Sequence, residues 1–208
     1  MKEFLLFMVF STIEGVSAFA LTLYIYRLDL KRYILPVLIV VTLANLQSYA
    51  IREDTSLSFI APATNIIFII LFMATIVRVP IIWAMITGVS GFFAFGLLQV
   101  SIVLASNGYL SIDAVQHVPL RGYMLQTLTG ISGTYIGWML YQFGYGFSFE
   151  FDRLRLRFEK TLVIGFIGVM LSLLTLLIYY KDAFMIMLSF LVSMLLFLYY
   201  AINKEAAS

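Results

Sequence analysis

A chain of 208 residues would suit one soluble domain, but 62% of its residues are hydrophobic, only 12% are charged and its mean hydropathy is +1.02, values typical of polytopic membrane proteins. No stretch is polar enough to fold as a soluble enzyme, nucleotide-binding or DNA-binding domain, and a net charge of +2 is too small to attract nucleic acid. Cysteine is absent, which excludes disulfides, zinc-thiolate sites and a cysteine nucleophile.

A bilayer crossing takes about 20 predominantly apolar residues. About seven such runs follow one another, near residues 4–26, 33–51, 58–77, 81–105, 121–146, 161–180 and 184–202. They predict an all-α bundle forming a single integral membrane domain over 1–208, because a spanning backbone must satisfy its own hydrogen bonds and the runs lack the alternation of barrel strands.

The first run carries Ala18-Phe19-Ala20 after the apolar stretch Phe4 to Phe10, a pattern that also fits signal-peptide cleavage. Glu14 interrupts the segment, Lys2 and Glu3 cancel, and Leu21 to Tyr26 continues as membrane sequence, so an uncleaved helix is expected. Starting from Phe4, ten residues of helix place Glu14 roughly 15 Å down, close to the bilayer midplane. A carboxylate is costly there, which makes Glu14 the strongest single functional hint. Its other reading is a neutral acid hydrogen-bonded to a neighbouring helix.

Runs two to five each carry one deep amide: Asn45, Asn65, Gln99 and Gln126. Each lies about 8 to 10 Å below the outer end of its helix. With Glu14 beneath them they predict a polar layer and an outward-opening ligand pocket. Alternatively each amide bonds another helix separately, an interaction commonly worth about 0.6 to 2 kcal/mol. Pro80, just after Arg78-Val79, suits the start of a helix and predicts a tight hairpin between runs three and four. The connector from Ser106 to Leu120 holds Asp113 and the only histidine, His117; two ligands make a poor metal site, so no metal is expected. In run five, Gly130, Gly133 and Gly137 share a face at small-xxx-small spacing and predict close helix packing, within the chain before between chains.

Basic residues concentrate in two connectors, Arg27-Leu-Asp-Leu-Lys31-Arg32 and Ser148 to Lys160, both expected in the cytoplasm. With seven spans this orients the N terminus outside and the C terminus inside. In the second connector Arg153, Arg155 and Arg157 alternate with apolar residues between Phe147 and Phe158, as expected of a cytoplasmic interface that anchors in acidic headgroups. Runs six and seven contain only hydroxyls such as Ser172, Thr175, Ser189 and Ser193, which marks them as wall or as a surface for a partner.

Hydrolysis within a membrane needs a nucleophile with its base, a carboxylate pair or a metal set. None is evident, so neither an enzyme nor a cofactor is expected. In its texture at Leu46-Gln47-Ser48-Tyr49-Ala50-Ile51-Arg52 and Gly122-Tyr123-Met124-Leu125-Gln126-Thr127-Leu128-Thr129, and in its expected topology, the chain resembles the membrane sensor region of AgrC-type peptide-pheromone histidine kinases. That resemblance implies a sensor for an extracellular peptide or small molecule. Those receptors continue into a kinase domain, whereas this sequence ends at Ala201-Ile-Asn-Lys-Glu-Ala-Ala-Ser208, so a stand-alone sensor acting through a cytoplasmic kinase-like partner is expected. The competing class is transport, such as the solute-binding membrane subunit of an energy-coupling-factor importer, whose partner would be a pair of ATPases. Either way the setting is a multi-pass protein of a bacterial cell membrane.

Overall fold

The structure is a computed structural model describing residues 2–53 and 61–147. Within them the chain forms six α-helices, α1 (Lys2–Ile25), α2 (Leu30–Glu53), α3 (Ala61–Phe72), α4 (Ile81–Ala105), α5 (Ile112–His117) and α6 (Pro119–Gln142), with a π-helical turn at Met73–Val77 extending α3. The described residues are all-α.

Three segments, Lys2–Ile25, Leu30–Tyr49 and Ile81–Ala105, are helical, long and apolar enough to cross a membrane. The expectation of about seven spans is therefore corrected, together with the outside N terminus and inside C terminus derived from it. The third expected run yields only the shorter apolar segment Thr64–Val77, whose last turn widens to π geometry before the chain reverses. The fifth yields α6, which has ample length but is diluted by Gln126, Thr127, Thr129, Gly130, Ser132, Gly133 and Thr134. The sixth and seventh runs, with the connector containing Arg153, Arg155 and Arg157, lie outside the described residues. The chain is membrane-associated, with a few candidate spanning helices.

Pairwise contacts fix the arrangement. Ser11 meets Gln126 and Tyr24 meets Tyr141, so α1 and α6 run parallel. Phe4 against Tyr49 and Thr12 against Asn45 set α2 antiparallel to α1, and Glu14 against Gln99 with Thr22 against Gly91 does the same for α4. Helices α2, α3, α4 and α6 pack in that order around α1, which touches α2, α4 and α6 along its length.

Such close approach depends on missing side chains. A Cβ on Gly91 of α4 would collide with Thr22, reaching its Cα at 2.8 Å, and one on Gly130 would lie 3.0 Å from the Ile13 carbonyl oxygen. Gly133 faces Ser17 and Leu21, while Gly137 faces Tyr24 and Leu21. Between lipid-embedded helices there is no hydrophobic drive to associate, so this contact area itself supplies the attraction.

The apolar core fills the half of the bundle near the α1–α2 connector, where Leu23, Phe72, Met73, Trp83, Ile86 and Phe93 are fully buried. Every residue of α1 from Ser17 to Tyr24 is buried, whereas its first half presents Leu5, Val9 and Ile13 outward. Helix α1 closes through Arg27 in the left-handed region (φ 53°), with the Leu28 N–H donating to the Leu23 carbonyl, a Schellman-type ending usually given to glycine. Arg27 takes this position while its Nη2 donates to the Gly144 carbonyl.

Candidate functional site

Three residues within one turn of α1 reach three different helices. Ser11 Oγ accepts from Gln126 Nε2 of α6 at 3.0 Å. Thr12 Oγ1 accepts from Asn45 Nδ2 of α2 at 3.1 Å, and Glu14 Oε1 accepts from Gln99 Nε2 of α4 at 2.6 Å. Successive helical side chains turn by about 100°, so positions 11, 12 and 14 diverge and each meets its own neighbour. A fourth pair, Ser48 Oγ donating to Asn65 Oδ1 at 3.4 Å, continues the level outward from α2 to α3.

All five residues singled out by depth therefore lie at one end of the bundle, and each is engaged with a side chain of another helix. They form a branching layer centred on α1 and do not converge on one cavity. Asn45 is buried, while Glu14, Asn65, Gln99 and Gln126 are half-buried. Gln126 Oε1 is buried without a hydrogen-bond partner, so this amide satisfies only its donor side. Aromatic contacts flank the layer toward the start of α1: Phe10 stacks on Tyr123 at 4.7 Å, and Phe4 meets Tyr49 edge-on at 5.0 Å.

Below the layer the α1 contacts change character. Ser17 Oγ donates to the Thr129 carbonyl at 3.2 Å, and from there apolar and glycine contacts take over until the Tyr26 hydroxyl meets Ser90 Oγ at 2.6 Å. Tyr26 lies just past the end of α1, and burial pushes its hydroxyl up to about 12, against the opposing effect of the Ser90 hydrogen bond. The group is therefore neutral throughout the physiological range.

Two apolar cavities lie beside α1. One, of about 500 Å³, lies between α1, α4 and α6 and includes Leu21, Ile25, Ala94, Leu98 and Leu140 in its wall. The other, of about 630 Å³, opens between α1, α2 and α6 at the level of the layer, beside Thr12, Val16, Leu38, Ile131 and Trp138. None of the five candidate residues lines either one.

Gly130, Gly133 and Gly137 all lie against α1, and all three are buried. Asp113 and His117 occupy the first and last turns of the short, exposed α5, which Ser111 caps by accepting from the Ala114 N–H at 3.3 Å. No group of three or more histidine or carboxylate side chains occurs among the described residues. The residues missed from sequence are the hydroxyl partners Ser11, Thr12 and Ser48. For Ser11 and Thr12 the signal was available in the turn of α1 itself, where they lie three and two residues before the deep Glu14.

Compared with known proteins, the chain matches no family model, no curated protein and no solved structure.

Proposed function

We propose that this protein is a membrane-embedded sensor that binds a ligand at the polar layer and passes the response to a cytoplasmic kinase-like partner, with no chemical step of its own. The observation that carries this reading is the branching of Ser11, Thr12 and Glu14 to α6, α2 and α4. A ligand that competes for any of these side chains loosens α1 from one neighbour while the others still hold it, which turns binding into movement of a central helix. The basic connector holding Arg27, Lys31 and Arg32 lies at the opposite end of α1 from the layer. The resemblance to AgrC-type sensor regions supports a peptide or small-molecule ligand. Transport is the weaker alternative, since the core below the layer is closed by Leu23, Trp83, Ile86 and Phe93.

The cysteine-free sequence makes a direct test available. A single cysteine at exposed Val9, carrying an environment-sensitive fluorophore, reports on the first half of α1. Medium conditioned by the source cells is expected to change its emission, and Glu14→Gln or Gln99→Leu to suppress the change while helix content is retained. Equal responses in all three proteins would exclude the layer as the ligand site. Solute accumulation in proteoliposomes would instead establish the transport class.

A further inference from the structure

We infer that the cavity between α1, α4 and α6 is a binding groove for one acyl chain of an acidic lipid, with the Arg27 guanidinium receiving its headgroup. This site is separate from the polar layer and does not depend on the sensor reading.

Both serines in the groove wall direct their hydroxyl protons to carbonyls of their own helix. Ser90 Oγ is engaged with the Tyr26 hydroxyl and its own helix carbonyls, and Ser101 Oγ donates to the Leu97 carbonyl at 2.7 Å. Apart from Tyr145 at its rim, the remaining side chains of the wall are hydrocarbon, including Leu21, Ile25, Leu98 and Leu140, so the groove suits an alkyl chain over a polar solute. A volume of about 500 Å³ falls within the range of small-molecule sites.

Its length is informative. The wall follows α4 from Ser90 to Ser101, roughly 16 Å of helix at the standard rise. One leaflet contributes about half of a hydrocarbon core roughly 30 Å thick, so the groove is as deep as one leaflet's acyl layer. Its rim is built by Tyr145, Gly146 and Phe147 and lies against Arg27. Gly144 accepts from Arg27 Nη2, and a Cβ on Gly146 would lie 3.2 Å from Arg27 Cγ. Arg27 is exposed, and the donors of its planar fork beyond the one used by Gly144 suit a phosphate or carboxylate at headgroup level. Charge and apolar wall together select an acidic, single-chain occupancy.

Native mass spectrometry of the full chain in detergent, with oleoyl lysophosphatidylglycerol and oleoyl lysophosphatidylcholine as probes, tests this. One lipid is expected to bind per chain, the acidic one about fivefold more tightly, as one arginine at a membrane surface provides. Arg27→Gln should abolish the preference and leave the weaker binding of both lipids. Ala94→Trp and Leu140→Trp fill the groove from opposite helices, and either one, if folded by circular dichroism, should abolish both. Equal affinities in the parent chain, or a preference that survives Arg27→Gln, would overturn the proposal. So would binding of glycerol phosphate without its chain, or a change of oligomeric state in the tryptophan variants, which would mark the groove as an interface between copies.

Discussion

The two halves of α1 hold to their neighbours by different means. From Ser11 to Glu14 the helix is tied by side-chain hydrogen bonds to three partners, and its outer face is exposed at Leu5, Val9 and Ile13. From Ser17 to Tyr24 it is buried on every side, pressed against Gly91, Gly133 and Gly137. Hydrogen bonds between membrane helices average about 0.6 kcal/mol, whereas a large core side chain is worth several times that. The residues that draw attention in the sequence therefore belong to the weakly held half, and stability resides in residues of ordinary appearance. A region meant to move is expected at the weak end of such a gradient.

The sharpest attempt to break this contrast is Trp83→Ala, which removes a fully buried ring and should cost about 3 to 5 kcal/mol. Thermal unfolding in detergent should show a large fall in midpoint or no folded protein at all. Gly91→Ala comes next: its new methyl meets Thr22 of α1, and overpacking of this kind costs about 1 to 3 kcal/mol. Pairing it with Thr22→Ala should recover part of the loss, since the hydroxyl is among the nearest atoms.

A smaller effect, about 0.5 to 1.5 kcal/mol, is expected for Tyr26→Phe, which deletes the buried contact with Ser90. Because the folded hydroxyl titrates near 12 and the free one near 10, the fold favours the protonated form. The advantage of the parent chain over this variant should be full below pH 10 and fade as the pH rises through 12. Comparing the two melting curves over that range reads the effect. The smallest change, about 0.6 kcal/mol, is expected for Asn45→Leu. Were it to rival Trp83→Ala, the polar layer would be the structural framework of the bundle and the division between the halves would fail.

Much of this was legible in the amino-acid sequence, and the losses have definite causes. Helices α1, α2 and α4 follow from long, predominantly apolar runs, and Pro80 marks the start of α4 by standing at its N-cap. The number of spans did not follow, because length and mean hydropathy do not separate a crossing helix from a shorter apolar one. Residues 64–77 fall short in length, and α6 mixes glycine and hydroxyl residues into a helix of full length. Depth along a helix is also readable from residue counting, which places Glu14, Asn45, Asn65, Gln99 and Gln126 at one end. Direction around the axis means little until the neighbours are known, and for that reason a layer of separate pairs is indistinguishable in sequence from residues facing one pocket. Gly130, Gly133 and Gly137 announce a close contact, but only the fold identifies α1 as its other side.

The end of α1 is clasped by residues made much later. The Phe147 N–H donates to the Ile25 carbonyl at 2.8 Å, and Arg27 holds the Gly144 carbonyl across 117 positions of sequence. During synthesis the first helix therefore emerges from the ribosome well before the segment that locks it in place. Until that segment arrives, the buried stretch from Ser17 to Tyr24 has no α6 to cover it, and insertion machinery or early pairing with α2 must hold it. Among the described residues, the contacts that close the first helix are therefore the last to form.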